Sequence, residues 1–401
     1  MPEIKLINIK KIKDKIKSLK IPKEYWGIDL DSFFSYQYSM YISIRETDGK
    51  TTQSLILGLV LNSLYPDIYN IEYLRNDNSQ IVRANIENLF NTIVSFGYIE
   101  KIYGGKYNDV IYKTQSRKFY LVNKDSEGDI LDTAAEPICI VHALETAFDA
   151  KSGYNNPKGN YIVLDEFQDT SRATYNIFPQ FLNYVSTIGR PLSPQRTPFL
   201  HVLLIGNNTN EYCFYFDEFC IAEDIPYLKF GGSIEFKTEY GVNGIVKLLE
   251  LSETQKERIK ERNIPFLGFP SKKAAAFTGI TEWSGENYKH ISFDLNYEDC
   301  LFRRAYLKHR GRFIQIDIFN NEEIGRFLFL HFSSEPKYDD NIIFTIDPEK
   351  SSDIYGLGKY EKRERILKIC KIIVGCLNEN RVYYASNKVG SLTSDFIKNI
   401  K

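Results

Sequence analysis

Apolar and polar positions alternate with a clear period along most of this chain, and the period changes from segment to segment. Tyr38 to Ile44 is a short run of aromatic and β-branched residues, the pattern of a strand. Gln53 to Leu64 has helical length, with apolar residues at Leu55, Ile56, Leu59, Val60 and Leu64. Ile68 to Leu74 reads as a second strand that ends at Arg75, and Ile86 to Ile99 as a helix. Val110 to Tyr120, continued by Leu121 and Val122, predicts a hairpin, and Pro137 to Val141 a short strand. Tyr161-Ile162-Val163-Leu164 is an unbroken apolar run, as expected of a parallel strand buried on both faces. Phe199 to Ile205 is a second such run, ending at Gly206-Asn207-Asn208. From residue 26 to about 240 strands and helices therefore alternate, which predicts an α/β domain.

The flanks differ. Residues 1–25 alternate Lys with Ile and Leu, as in Ile9-Lys10-Lys11-Ile12-Lys13-Asp14-Lys15-Ile16-Lys17. This is a basic amphipathic arm, suited either to nucleic acid or to docking on a neighbouring surface. Residues 241–290 are rich in charge around Lys256 to Arg262 and then carry Pro265, Gly268 and Pro270, the pattern of a helix followed by a linker. From 291 to 401, Arg312 to Phe319, Gly325 to Phe332 and Ile342 to Ile346 read as successive strands and Lys362 to Leu377 as a helix. That predicts a second, smaller α+β domain.

Composition narrows the picture only slightly. The 401 residues suffice for two domains, and a net charge of -1 confines any nucleic-acid contact to a local patch. The six cysteines form no Cys-x-x-Cys pair and the five histidines are scattered, which argues against a zinc site and for reduced thiols in a cytosolic protein. No signal peptide and no apolar run of membrane-spanning length is visible.

The candidate chemistry lies at two strand ends. Arg45-Glu46-Thr47-Asp48-Gly49-Lys50-Thr51-Thr52 joins the first strand to a helix. A strand, a Gly-Lys-Thr turn and a helix form a phosphate cradle in which backbone N–H groups and the helix N-terminus face the anion. Lys50 would reach the β/γ-phosphates of ATP and the Thr51 hydroxyl would hold Mg²⁺. The usual first glycine of such loops is absent; Ile44 stands there. The other strand end is Asp165-Glu166-Phe167, where two adjacent carboxylates close the aliphatic run. One can hold the metal and the next can orient or deprotonate a water. Phe216-Asp217-Glu218-Phe219 repeats the Asp-Glu-Phe but follows no aliphatic strand, so it reads as core or surface filler. Asp317 and Asp347, each on an apolar strand, could bind metal as in a nuclease, but read more simply as single acids at strand edges.

In this order the motifs resemble those of the DNA-packaging ATPases of phi29-like phages, ring motors related to large terminases and to FtsK/HerA-type ATPases. Arg45 with Gly49-Lys50-Thr51 is similar to the variant phosphate loop of that family, which tolerates loss of the first glycine. Tyr73-Leu74-Arg75 resembles its Tyr-x-Arg, and Lys151-Ser152 a Lys-Ser near its subunit interface. Asp165-Glu166-Phe167 matches its Asp-Glu-Phe. Arg190 falls at the place of an arginine finger acting in trans, and Ile205-Gly206-Asn207 at the coupling motif, although Gly206 stands where Ser or Thr is usual. The resemblance implies a P-loop (ASCE) ATPase domain with a parallel sheet over 26–240 and a linker or lid over 241–290. It implies a smaller α+β RNase H-like domain over 291–401 that has lost its nuclease acids. It further implies ATP and Mg²⁺ as cofactors, with Glu166, Arg190 and Lys151 catalytic. Arg45, Gly49, Lys50, Thr51, Thr52, Arg75 and Asn207 would hold nucleotide, and Thr51 and Asp165 the metal. Expected partners are double-stranded DNA, the portal of a procapsid, other copies in a homopentameric ring and a packaging RNA. The expected location is the host cytoplasm, docked transiently on the procapsid.

Two other readings compete. Asp165-Glu166-Phe167-Gln168-Asp169-Thr170 also spells a motif of superfamily-one helicases, but Glu46-Thr47-Asp48 replaces their glycine-rich loop. Such enzymes also need two motor domains. A non-enzymatic nucleic-acid-binding phage protein with a decayed nucleotide site is the third reading, supported by Ile44 and Gly206.

Overall fold

A computed structural model describes residues 7–22, 26–43, 49–82, 86–146, 156, 158–168, 177–189, 200–208, 213–237, 241, 243–250, 253, 257, 288–309, 311–322, 324–337, 341–345 and 360–399. The chain divides into two compact units, Met1–Ser284 and Gly285–Lys401.

The first unit begins with helices α1 (Ile9–Ser18) and α2 (Leu30–Ser35), then strand β1 (Tyr38–Ser43) and helix α3 (Lys50–Leu64). Strand β2 (Ile71–Arg75), two short helices α4 (Asn91–Ser95) and α5 (Tyr98–Tyr103), and strands β3 (Asp109–Lys113), β4 (Lys118–Lys124), β5 (Ile130–Thr133) and β6 (Cys139–Ala143) follow. Strand β7 (Tyr161–Asp165), helix α6 (Ile177–Gly189), strand β8 (His201–Asn207), helix α7 (Phe214–Glu218) and strands β9 (Ser233–Lys237) and β10 (Asn243–Leu248) complete it. The strands form a ten-stranded sheet in the order β3-β4-β6-β2-β7-β8-β1-β10-β9, with β5 paired to β4. The run from β6 to β10 is parallel throughout.

Burial on both faces explains why β7 reads as an unbroken apolar run. It pairs with β2 on one side and β8 on the other. Tyr161 and Val163 point into a core shared with α1, α3, α4 and α5. Ile162 and Leu164 point into the opposite core with α6 and α7. The strand ends Ser43, Arg75, Asp165 and Asn207 all fall at the same edge because the four strands run the same way.

Several expectations are corrected. The helix expected over Ile86 to Ile99 is broken, because Gly97 takes a left-handed conformation (φ 66°) and donates to the Val94 carbonyl, ending α4 before α5 begins. Strand β8 does not stop at Ile205 but continues through Gly206 to Asn207, which pairs with Ser43. Asn243–Leu248, placed with the connecting segment in the sequence reading, is a strand of the central sheet parallel to β1. The N-terminal arm is folded onto the first unit: Ile12, Ile16 and Leu19 are buried in the core beside α3. Phe216 and Phe219 are core residues, as expected of filler. The charged helix expected at 256–262 and Asp347 lie outside the described residues.

The second unit has a five-stranded sheet in the order β14-β11-β12-β13-β15. Its strands are β11 (Cys300–His309), β12 (Arg312–Asn321), β13 (Gly325–Ser333), β14 (Ile342–Thr345) and β15 (Val382–Tyr384), with helices α8 (Tyr360–Asn378) and α9 (Asn387–Asn399). The first three strands are antiparallel, and β14 and β15 add to the two edges in parallel. Asp317 on the central strand is fully buried; it accepts from Gln315 (2.7 Å) and contacts His331 (3.2 Å). This internal network gives it a structural role. Among the described residues, no helix is long and apolar enough to cross a membrane.

His201 at the start of β8 packs against the rings of Phe33 (4.9 Å) and Phe34 (5.2 Å). Burial lowers its pKa from 6.5 to about 4, against the opposing effect of its contact with the Tyr36 carbonyl. The unfolded chain therefore binds the extra proton first as pH falls, so this contribution is complete above pH 6.5 and is lost towards pH 4. Urea denaturation of the first unit should lose about 3 kcal/mol of stability from this group over that window. His201→Phe should remove that portion of the pH dependence; an unchanged profile would refute the assignment.

Candidate active site

Helix α3 starts where the sequence places the phosphate loop. Its N-cap is Gly49, in the left-handed region at φ 59°, which a residue with a Cβ adopts only under strain. No side chain caps α3 and no acid occupies its first turn. The helix dipole favours an anion at that end. Lys50 donates from Nζ to Ser43 Oγ (2.7 Å), so the end of β1 and the start of α3 are tied across the loop.

Thr51 Oγ1 donates to Asp165 Oδ2 at 2.9 Å, which joins the loop to the acidic strand. The same carboxylate oxygen accepts from the Tyr73 hydroxyl (2.5 Å) and pairs with the Arg75 guanidinium (2.9 Å). Arg75 also donates from Nε to the Tyr73 oxygen (3.0 Å) and forms an ion pair with Glu166. Burial opposes the charge on Arg75, but Asp165, Tyr73 and Glu166 more than offset it and raise its pKa. Burial and then the adjacent Asp165 push the Tyr73 hydroxyl well up, so it stays a neutral donor.

The two acids differ in surroundings. The Asp165 side chain is 5% exposed and that of Glu166 is 43% exposed. Asp165 is therefore positioned to organise the interior of the site, and Glu166 to meet solvent. Glu166 sits at φ 56°, an uncommon conformation for a residue with a side chain. Asn76 braces this turn by donating to the carbonyls of Glu166 (3.4 Å) and Phe167 (3.2 Å).

Gly206 departs from the Ser or Thr of the coupling motif for a steric reason. A Cβ there would lie 2.8 Å from the fully buried Phe167 ring. Asn207 follows at the end of β8, between β1 with its phosphate loop and β7 with its acids. Thr52 is half-buried in the first turn of α3. Gly49, Lys50, Thr51, Thr52, Arg75, Asp165, Glu166 and Asn207 thus lie on adjoining elements at one sheet edge, and direct contacts link Thr51, Arg75, Asp165 and Glu166. Arg45, Lys151 and Arg190 lie outside the described residues. The sequence reading assigned no role to Ser43 or Asn76, and valued Tyr73 only as part of a motif. Their signal was position alone: a small hydroxyl at the end of β1 and a polar residue directly after Arg75.

The donor set suits a magnesium nucleotide. Among the described residues no group of three or more His, Cys, Asp or Glu could hold a metal alone. A hard cation here would be held by Thr51 and Asp165 together with the phosphates it accompanies.

No protein-family model matches the chain, and no curated protein matches it. Solved structures do. The phi-28 gp11 DNA packaging motor aligns over 94% of this chain and 98% of its own, with a TM-score of 0.51 at 15% identity. The bacteriophage phi-29 viral genome packaging motor assembly aligns over 94% and 99%, with a TM-score of 0.54 at 13% identity. The chain has the fold of the phage packaging motors. The likeness spans both units, as the coverage requires.

Tyr73→Phe deletes the hydroxyl that bridges Arg75 and Asp165 without changing shape. It should cost the first unit about 1–3 kcal/mol, because a buried carboxylate and guanidinium each lose a partner. Urea denaturation would measure this, and a loss below a few tenths of a kcal/mol would contradict the bridge.

Proposed function

We propose that this protein is an ATP-hydrolysing motor that drives double-stranded viral DNA into a procapsid. The observation that carries the reading is the Thr51–Asp165–Arg75–Glu166 constellation at one edge of a parallel sheet. The fold shared with packaging motors over both units supports it.

The chemistry follows from charge. Phosphoryl transfer asks little covalent work of the protein and much positioning. The α3 amides and Lys50 would take the β- and γ-phosphates, and Thr51 and Asp165 would hold Mg²⁺. Bound Mg²⁺ would supply neutralisation of the charge that builds between these phosphates. Glu166, the exposed acid, orients the attacking water and receives its proton. The Glu166 carboxylate is paired with Arg75 in this structure. A γ-phosphate offers Arg75 an alternative anion, which frees Glu166 when substrate is in place. Asn207 reads the γ-phosphate from β8.

The finer assignments rest on the family resemblance. Arg190 acts in trans from the next subunit of a homopentameric ring, Lys151 contributes near the same interface, and Arg45 contacts the phosphates. The second unit is an RNase H-like module without nuclease chemistry that contacts nucleic acid or the procapsid. The motor works in the host cytoplasm, docked on the portal with or without a packaging RNA. The superfamily-one helicase reading is disfavoured, because the second unit is built on an antiparallel core and not on a second parallel motor sheet.

Steady-state ATP hydrolysis, measured without DNA, with single strands and with blunt duplex, tests the reading. Duplex should stimulate turnover and Lys50→Ala should abolish the stimulated rate; stimulation by single strands alone would favour a helicase. Glu166→Gln should lower turnover about 10²- to 10⁴-fold while a fluorescent ATP analogue still binds. Normal turnover in that variant would remove Glu166 from the mechanism. Arg190→Ala mixed with wild type should depress activity more than in proportion; strictly proportional loss would remove the finger.

A further inference from the structure

The ATPase site leaves one conspicuous feature of the first unit unused, the basic face of α1. From Ile9 to Lys20 the chain carries Lys10, Lys11, Lys13, Lys15, Lys17 and Lys20 against the single acid Asp14, in a protein whose net charge is -1. The helix is not a loose tail. Asn8 caps it, accepting from the Lys11 amide at 3.0 Å, and Ile12, Ile16 and Leu19 anchor it in the core. With the apolar side buried, Lys10, Lys11, Lys13, Asp14, Lys17 and Ser18 are exposed.

Two lysines are already engaged. Lys13 pairs with Asp31 of α2, and Lys15 donates to the Lys101 carbonyl of α5 at 3.0 Å. The second contact brings α5 alongside, so the exposed Lys101 extends the patch. Lys10, Lys13 and Lys17 repeat at i, i+3 and i+7 along one flank, and Lys11 and Lys15 at i and i+4 along the other.

This arrangement is unfavourable for the helix alone. Lys10 and Lys11 sit in a first turn that has no acid, at the positive end of the dipole. Like charges one turn apart repel. A polyanion laid along the face would relieve both effects. The exposed face has no apolar residue, which argues against a protein partner, whose interfaces have an apolar core. It also argues against insertion into lipid, which needs an apolar face turned outward. Protein–DNA interfaces are polar and strongly positive, as this one is.

We infer that the exposed lysine face of α1, with Lys10, Lys11 and Lys17 at its centre and Lys101 beside it, grips the phosphate backbone of double-stranded DNA. The inference rests on the reading that the protein handles duplex DNA, and assigns that contact to a definite surface away from the nucleotide. The contact is electrostatic and blind to sequence, as a translocating motor requires.

The test is fluorescence anisotropy with labelled duplex DNA over a salt series, comparing the full chain with a K10E/K11E/K17E variant. Each lysine–phosphate contact contributes about 0.9 to the slope of log affinity against log salt, so the variant slope should fall by about 2 to 3. Affinity should drop at least tenfold near 0.1 M salt, and the triple arginine variant should retain it. Lys10→Glu and Lys11→Glu put acids in the first turn, where they suit the helix dipole, whereas Lys17→Glu lies in the last turn and opposes it; the buried Ile12, Ile16 and Leu19 are untouched, and circular dichroism checks that the variant stays folded. Lys50-dependent ATP hydrolysis without DNA should be unchanged. Equal affinity and slope for wild type and variant would overturn the inference and leave the motor reading standing. Preference for duplex RNA of the same sequence, with the lysines required, would overturn DNA as the partner. If the wild type binds no duplex DNA, this inference and the motor reading fall together.

Discussion

One carboxylate oxygen organises the first domain. Asp165 Oδ2 receives the Thr51 hydroxyl, the Tyr73 hydroxyl and the Arg75 guanidinium, from α3 and from the neighbouring strand β2. A buried ion survives only when its hydrogen-bonding capacity is filled, and here three donors fill one oxygen. The arrangement fixes the start of α3 against the end of β7. Such preorganisation is what electrostatic catalysis requires, because the dipoles need not reorient during the reaction.

The sheet topology supplies the rest of the positioning. Inserting β8 between β1 and β7 separates the phosphate loop from the acids by one strand and places Asn207 in the gap. The two cores on either side of the sheet serve different ends. The α3 core holds the loop helix and the docked α1, whereas the α6 core holds the segment that leads towards residue 190. The basic helix α1 therefore packs beside α3, the helix that begins at Gly49.

Much of this was legible in the sequence, and the reasons are local. Tyr161–Asp165 was readable because a strand flanked by two others and covered on both faces has no polar position to spare until its end. Gly49-Lys50-Thr51 was readable because a left-handed glycine before a helix has few alternatives. What the pattern could not reveal were features set by tertiary contact. Gly206 looked like a strand terminus, yet it lies inside β8, paired with Ile42, and the Phe167 ring leaves no space there for a Cβ. Asn243–Leu248 opens with Asn-Gly, a turn signal, and is a strand because it pairs with β1. Ile86 to Ile99 had helical spacing, but Gly97 outweighed it. Tyr73 showed only as part of the Tyr-x-Arg motif, since no periodicity reveals that its hydroxyl reaches Asp165.

The packing of Phe167 on Gly206 has a mechanical consequence. Phe167 adjoins Glu166, and its amide also donates to the Ile205 carbonyl at 3.2 Å. The end of β8 and the turn that carries Glu166 are thus in close contact. A displacement of the β8 end would bear on the Phe167 ring and through it on the acidic turn. Information about the state of the phosphate would then travel through the domain as hard-core contact, and a smaller ring or a looser fit would introduce backlash without removing a single hydrogen bond.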